Sequence, residues 1–459
     1  MSQANAIAEF ENKMRAARVS EAAIRAFRHS YENLAAGKTG LLPESEIEPV
    51  ASLPSFEKLD STSSDGALLA QVVVLKLNGG LGTGMGLEKA KSLLRIKDDL
   101  TFLDFIARQI LHLREKHKSP LRFLLMNSFS TSRDTLDFLK KYPALGESAQ
   151  LELMQSAVPK VDAQSLRPIV WPRHPEMEWC PPGHGDLYPS LLGSGLLEQL
   201  LGVGVKYLFV SNSDNLGASL DLKLLNYFAT SDQDFLMEVC ERTASDRKGG
   251  HLAQRGGKLL LRESAQCPEA DAASFQDIGR HRFFNTNNLW VRLDRLKKLL
   301  DVSGGFIPLP IIKNAKTVDP RDKTSPKVFQ LETAMGAAIE CFERTGAIVV
   351  PRTRFAPVKT TADLLALRSD AYEITEDWRL VLSPSCNGVP PTIDLDDNYK
   401  MVDQLDAALV EGVPSLKHCQ KLTIRGGFKF SSQNVFSGEV ALNNATTARV
   451  VVSAENTAT

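Results

Sequence analysis

The residues best suited to chemistry lie in one stretch, KLNGGLGTGMGLEKAKS, from Lys76 to Ser92. It sets five glycines (Gly79, Gly80, Gly82, Gly84 and Gly86) between Asn78 and the lysines Lys89 and Lys91. Glycines this dense let the backbone adopt conformations closed to other residues and bring N–H groups close to a ligand. A polyphosphate suits such a loop, and a nearby ammonium group neutralises its charge. Two common phosphate loops do not match. A Walker loop ends in Gly-Lys-Ser/Thr, whereas Lys91-Ser92 follows Ala90. The pattern G-x-G-x-x-G meets Met85 when started at Gly80 and Leu87 when started at Gly82. A glycine turn without a ligand is the plain alternative. The strand-like run before the loop and the lysines after it favour phosphate.

Further candidates follow downstream. In WCPPGHGDLYPSL (Trp179 to Leu191), two prolines fix a loop. Gly183 and Gly185 would let a flat base or sugar approach, with His184 between them; a rigid structural turn is the alternative. SNSDNLG carries Asp214 at the end of an apolar run. Beside phosphates, a carboxylate there is a natural Mg²⁺ ligand, and otherwise it would cap its own turn. RHRFFNTNNLW offers Asn285, Asn287 and Asn288, amides that both donate to and accept from hydroxyls. RTRFAPVKTTADLL contains Lys359, which alone would read as a solvated charge.

The elements that must position these groups alternate between strand and helix, which predicts an α/β layer with a largely parallel sheet. Strands are expected at 72–77, 123–127, 151–155, 205–210, 235–239, 289–291 and 348–350. Helices are expected at 102–116, 133–140 and 191–201, the last as one leucine-rich helix. In such sheets ligands sit beyond the carboxyl ends of the strands. The glycine loop, Asn127-Ser128 and Asp214 all fall at such ends, so three separate segments converge on one cleft. At the N-terminus, Ser20 caps a helix with Ile24, Phe27, Tyr31 and Leu34 on one face, stopped by Gly37 and Gly40. Residues 41–66 read as a connecting segment. Near the C-terminus, 398–410 reads as one amphipathic helix. From Lys421 short strands broken by Gly and Asn (KLTIRGGFKF, NVFSGEVALNN, ARVVVSAE) suggest a small β domain.

With 459 residues the chain has room for two or three domains. Its 54 basic and 55 acidic residues leave a net charge of −1, which gives no footprint for nucleic acid or an anionic membrane. The six cysteines form no C-x-x-C pair, and the eight histidines show no zinc-site spacing. The first residues lack a signal core or transit pattern, and no apolar run approaches membrane-spanning length; a cytoplasmic protein is expected.

The loop KLNGGLGTGMGLEKAKS resembles that of the eukaryotic-type UTP–glucose-1-phosphate uridylyltransferases, whose usual form is close to KLNGGLGTSMGCKGPKS. This chain departs from it at Gly84, Leu87, Glu88, Lys89 and Ala90. LMNSF, Gln155, the PPGHGD turn, SNSDNLG, KGGHLAQ, ESAQ, FNTNNLW, QLETAMGAA and PVKTT follow in family order from about Gln71 onward. The resemblance implies a Rossmann-like nucleotidyltransferase with a mixed, mostly parallel sheet and helices on both faces, plus a short C-terminal left-handed β-helix. It implies an N-terminal helical segment at 1–68, a catalytic domain at 69–389 and a C-terminal helix with truncated β-helix at 390–459. The implied reaction is Mg²⁺-dependent uridylyl transfer from UTP to glucose 1-phosphate, giving UDP-glucose and pyrophosphate. Lys91 and Lys359 would be catalytic. Leu77, Asn78, Gly79, Gly80, Gly82, Thr83, Gln155, Gly183, His184 and Asp214 would bind nucleotide, with Gln155 reading the uracil edge and Asp214 holding the metal. His184, Asn212, Glu263, Asn285 and Asn287 would bind the sugar. A monomer or small homo-oligomer is implied. Relatives using galactose 1-phosphate, N-acetylglucosamine 1-phosphate or several sugars are the rival reading within the class, and a UDP-sugar-binding regulator without turnover is the rival outside it.

Overall fold

The computed structural model describes residues 3–60, 66–243 and 246–453. Part of the connecting segment, 61–65, and the end of ARVVVSAE lie outside the described residues. The main sheet has ten strands: β1 (Glu48–Pro49), β2 (Val72–Asn78), β3 (Arg122–Asn127), β4 (Glu152–Met154), β5 (Tyr207–Asn212), β6 (Phe235–Glu241), β7 (His251–Arg255), β8 (Lys258–Arg262), β9 (Phe283–Arg292) and β10 (Thr345–Val349). Its order is β1-β7-β9-β5-β2-β3-β4, with β8 on β7, β6 on β9 and β10 on β6. The run β5-β2-β3-β4 is parallel, as is the pair β6-β10; β9 is antiparallel to both β5 and β6.

Alternation along the buried strands feeds two cores. Val72, Val74, Phe123 and Leu125 face one side, where helix Phe102–His117 packs. Val73, Leu75, Leu124 and Met126 face the other, against helices Leu187–Gly193, Leu196–Gly202 and Leu293–Val302. Helices thus cover both faces, which is why the central strands read as unbroken apolar runs. Helix Phe102–His117 is fixed at its start by a capping box. Thr101 accepts from the Asp104 N–H, and Asp104 accepts from the Thr101 N–H at 2.8 Å. Arg114, Lys116 and His117 in its last turn suit the negative end of its dipole.

Register places the site. Leu77 pairs with Asn212, Asn78 with Asn127, and Asn127 with Met154. The glycine loop, Ser128, Gln155 and the turn bearing Asp214 therefore leave the sheet at one edge. On β9, the register shifts opposite Glu238 and Val239, leaving Thr286 and Asn287 as extra residues, with Asn287 at φ 60°. β9 starts at that same end because it runs antiparallel to β5, and the bulge interrupts its pairing with β6 within FNTNNLW.

Two helix expectations change. The leucine-rich stretch is two helices, broken at Gly195 (φ 74°). The stretch from Asn398 is a 3₁₀ turn, Asp397–Tyr399, followed by a separate helix, Val402–Ala408. Apolar spacing continues across both breaks, so periodicity alone could not show them. Ser20 caps helix Glu21–Ala35 as expected, accepting from the Ala23 N–H at 3.3 Å. Phe10, Phe27 and Tyr31 of the N-terminal helices pack on Val158, Val161, Cys180 and Leu331. In the C-terminal part, strands Thr392–Leu395, Ser415–Arg425 and Val435–Asn443 lie side by side in parallel. Their buried Leu422, Ile424 and Val440 join the core that includes helix Phe102–His117.

Candidate active site

The glycine loop closes on itself: the Lys91 N–H donates to Gly80 O at 3.1 Å, and the Met85 N–H to Gly82 O at 2.9 Å. Gly82 and Gly86 adopt left-handed conformations (φ 70° and 76°) that other residues enter at a cost. Gly84, one of the departures from the family pattern, has ordinary backbone, and a Cβ there would meet nothing within 4 Å. The loop, the Asp214 turn and the PPGHGD turn enclose a cavity of about 380 Å³. Of the residues expected from sequence, Leu77, Gly79, Gly80, Lys91, Gln155, Gly183, His184, Asn212 and Asp214 line it.

At one end, Lys91 Nζ donates to Asp214 Oδ2 at 2.6 Å and also to the Val358 carbonyl. Both side chains are less than a fifth exposed, at 17% and 19%. The Asp214 turn is tied to the glycine strand by the Ser213 N–H donating to Leu77 O at 3.0 Å. It is tied to the 351–359 strap by Ala356 N–H to Asn215 Oδ1 at 3.0 Å and Asn215 Nδ2 to Arg354 O at 3.1 Å. The strap carries Lys359, which is exposed, with Nζ 5.9 Å from the Phe355 ring centre.

At the other end, Gln155 Nε2 donates to Gly183 O at 2.8 Å. A Cβ on Gly79 would lie 2.7 Å from Gln155 Oε1, so glycine there leaves room for the amide. His184 Nδ1 accepts from the Met335 N–H at 3.0 Å. Burial pushes the imidazole down to about 4, so it is neutral with its proton on Nε2. Gly183 and Gly185 need correction. Gly183 lines the cavity with its backbone, but the space its missing Cβ leaves is taken by Thr333, and so is that of Gly185. Their smallness serves packing of the turn on Thr333, not the approach of a base.

Four expected residues form a separate group beside the strap. Asn285 hydrogen-bonds the Glu263 carboxyl and donates Nδ2 to Asn287 Oδ1 at 3.1 Å. Burial raises the Glu263 carboxyl, while Asn285 and the charge of Lys359 pull it back. Three others do not line the cavity, and one of them, Gly82, shapes the loop beside it. Thr83 is exposed on the loop. Asn78 turns inward, donating Nδ2 to Asn127 Oδ1 at 2.7 Å and Thr135 Oγ1 at 2.9 Å, so it fixes the loop's root from below.

Sequence reasoning passed over the groups that hold the site. Glu238, fully buried, accepts from Arg354 at 2.7 and 2.8 Å, from Asn288 at 3.0 Å and from Trp290 Nε1 at 2.9 Å. That network joins the sheet to the strap of Lys359. Lys76 Nζ, also buried, donates to Ser211 Oγ at 2.7 Å and Ala218 O at 2.6 Å, and burial pushes it down to about 7. A charged residue inside an apolar strand, as in VVVLKLN and FLMEVCE, was the available signal. Glu332 also lines the cavity; burial raises its carboxyl, and hydrogen bonding from Asn314 opposes this.

Among the described residues no group of three or more His, Cys, Asp or Glu could hold a metal ion. Asp214 does present one carboxylate to the cavity. That donor set does not form a resident cage, but it fits Mg²⁺, which commonly takes one or two carboxylates and completes its shell with substrate phosphates and water.

A family model described as UTP–glucose-1-phosphate uridylyltransferase matches residues 24–436. The chain is 40% identical to the enzyme of that name from Solanum tuberosum over 396 residues, which is 84% of this chain and 80% of the relative. It is 40% identical to the one from Saccharomyces cerevisiae over 385 residues, 84% of this chain and 74% of the relative. Among solved structures, a UDP-glucose pyrophosphorylase variant from Leishmania major, in complex with UDP-glucose, matches with a TM-score of 0.93 at 51% identity, over 99% of this chain and 97% of that one. A Trypanosoma brucei structure matches with a TM-score of 0.90 at 50% identity, over 98% and 97%. The cavity and the comparisons lead to one conclusion: this chain belongs to the UTP–glucose-1-phosphate uridylyltransferase family.

Proposed function

We propose that the cavity carries out the family's reaction, UTP plus glucose 1-phosphate giving UDP-glucose and pyrophosphate, as one in-line displacement. The observation that carries this is the shared lining of one cavity by the glycine loop, the Lys91–Asp214 pair, Gln155 and His184. A phosphate oxygen of glucose 1-phosphate attacks the α-phosphorus of UTP, and the bond to the β-phosphate oxygen breaks on the opposite side. The attacking oxygen is already anionic, so no covalent protein nucleophile or general base is needed. The protein's task is to align two polyanions and offset their repulsion.

We assign each residue's part from the family resemblance together with its place in or beside the cavity. Leu77 backbone, Gly79, Gly80 and Gly82 give N–H groups and room for the triphosphate, with Thr83 at the loop's outer face. Lys91, already held at the wall, offsets charge on the phosphates, and Lys359 reaches in from the exposed strap. Gln155 and the Gly183 backbone select uracil, a pattern of one donor and one acceptor that an amide can match. His184, as a neutral Nε2–H donor, lies between nucleotide and sugar. Asn212, Glu263, Asn285 and Asn287 hold the glucose hydroxyls. With Asp214 as its protein ligand, Mg²⁺ would supply Lewis-acid screening of the phosphate oxygens.

We extend the proposal to organisation. The parallel C-terminal strands support a short left-handed β-helix after a catalytic domain at 69–389 that follows a helical segment at 1–68. A monomer or small homo-oligomer in the cytoplasm fits this reading. Among the described residues no helix is long and apolar enough to cross a membrane.

The test is pyrophosphate release from UTP and Mg²⁺ with glucose 1-phosphate, repeated with the galactose and N-acetylglucosamine phosphates. Release with glucose 1-phosphate alone is expected. Equal release with several sugars would overturn the glucose assignment. No release from folded protein that still binds UTP would overturn turnover itself.

A further inference from the structure

Asp186 closes the PPGHGD turn but does not line the cavity. Its side chain is buried, at 4% exposure. Oδ2 accepts from the Ser156 N–H at 2.6 Å and from Ser190 Oγ at 2.6 Å, and the Ser156 side chain also hydrogen-bonds the carboxyl, so Asp186 holds Ser156 by amide and hydroxyl. Ser156 directly follows Gln155, whose own N–H donates to Asn127 O at 2.7 Å. The chain on both sides of Gln155 is therefore fixed, by the sheet before it and by Asp186 after it. The same turn also holds the Gln155 side chain, through Gly183 O at 2.8 Å. The Asp186 N–H in turn donates to Gly183 O at 3.3 Å. One short turn thus grips Gln155 twice, once by its amide and once by the next peptide.

We propose that Asp186 is a positioning residue for base recognition: by holding the Ser156 N–H it sets where the Gln155 amide points, and so how strictly the site accepts uracil. A carboxylate holds an amide N–H more firmly than a neutral acceptor does, and here it does so where water cannot compete. The bond lies one residue from the reading group, so loosening it shifts the amide without removing any ligand contact. Small displacements of a positioning group are expensive in rate and selectivity. This inference rests on the reading of Gln155 as the group that recognises the base.

The experiment compares kcat and KM with UTP and with CTP, whose base differs from uracil in its hydrogen-bonding edge. For Asp186→Ala, the UTP-over-CTP ratio of kcat/KM should fall by about tenfold or more. The loss should enter through the KM for UTP, with the KM for glucose 1-phosphate within about twofold of the parent. Asp186→Asn keeps an acceptor oxygen at the same place and should restore most of the ratio. If Asp186→Ala does not accumulate as folded protein, Asp186→Ser keeps the site polar, is too short to reach Ser156, and should show the same fall. Gln155→Ala separates this inference from the reading beneath it. An unchanged ratio in Gln155→Ala would sink the base-reading role of Gln155. A changed ratio there, with a parent-like ratio in the Asp186→Ala or Asp186→Ser protein, would overturn the role of Asp186 alone. A parallel loss of kcat and of affinity for both substrates would also overturn it, because that is what a merely structural residue gives.

Discussion

Replacing Gly183 with alanine tests how the PPGHGD turn is built. Gly183 sits at φ 79°, ψ 172°, a region open almost only to glycine. An added Cβ would lie 2.5 Å from Thr333 O, 2.9 Å from Thr333 N and 3.0 Å from Glu332 Cβ. The first two are backbone atoms, so no side-chain rotation relieves the contact. Holding alanine in that conformation costs about 1–3 kcal/mol. Overpacking adds about 1–3 kcal/mol. The sum, about 2–6 kcal/mol, is large against a typical stability of roughly 5–15 kcal/mol. The chain can absorb it in two ways. If the turn stays, the protein loses stability, and thermal unfolding should shift down by several degrees. If the turn moves, Gly183 O leaves Gln155 Nε2, and the KM for UTP should rise with little change in unfolding. The assays are differential scanning fluorimetry and initial rates across UTP concentration. An alanine variant with parent-like unfolding and parent-like KM for UTP would refute the reasoning, because neither route would have been taken.

The site makes other expectations. Gly84→Ser restores the residue usual in the resembling pattern where a Cβ meets nothing, so stability and kcat should stay within about twofold of the parent. Lys91→Ala should cut kcat by about 10²–10³-fold, as loss of a preorganised charge does, with circular dichroism unchanged. Chelating divalent cations should stop pyrophosphate release, and Asp214→Asn should raise the Mg²⁺ concentration needed to restore it. His184, pushed down by burial to about 4 from its ordinary 6.5, binds its proton in the unfolded chain first. Its neutral form therefore contributes stability that is present above about 6.5 and lost as pH falls towards 4, so the unfolding temperature of His184→Asn should fall less than the parent's over that range.

The fold was legible where a strand is buried on both faces. VVVL, FLLM and YLFV, within VVVLKLN, RFLLMN and YLFVSN, are continuous apolar runs because helices cover each side of the sheet, and each strand ends at a polar residue where the site begins. Breaks within apolar helices were not legible. Gly195 ends one helix and opens the next without disturbing the leucine spacing, and the two helices still bury Leu191, Leu197 and Leu200 on one core. The small antiparallel strands His251–Arg255 and Lys258–Arg262 were hidden for a different reason. Their Gly256-Gly257 turn is the local signal of a hairpin between them, but the strands that flank His251–Arg255, β9 and Glu48–Pro49, lie far away in sequence.

For the site, what sequence reveals depends on how a residue works. Lys91, Asp214 and His184 lie in segments rich in Gly, Pro or Asn, so composition points to them, whereas Gln155, in LELMQSAV, is raised only by its place in the family series. Glu238 and Arg354 work by holding, and composition says little about a group whose partners are all internal. Their importance shows only once Glu238 is seen to accept four hydrogen bonds within a buried network. A carboxylate buried without that set would be strongly destabilising, since each unmet charge in the interior costs several kcal/mol. Arg354 O also accepts from Asn215 Nδ2, so the same network that settles the charge of Glu238 also ties the strap of Lys359 to the turn of Asp214. Glu238→Gln keeps the shape but makes one bidentate partner a donor facing the Arg354 guanidinium. The strap then loses its anchor before the sheet loses its core. Activity should therefore fall at temperatures where the protein is still folded. If activity and folding instead disappeared at the same temperature, the network would be a stabiliser of the core, and the strap's position would depend on something else.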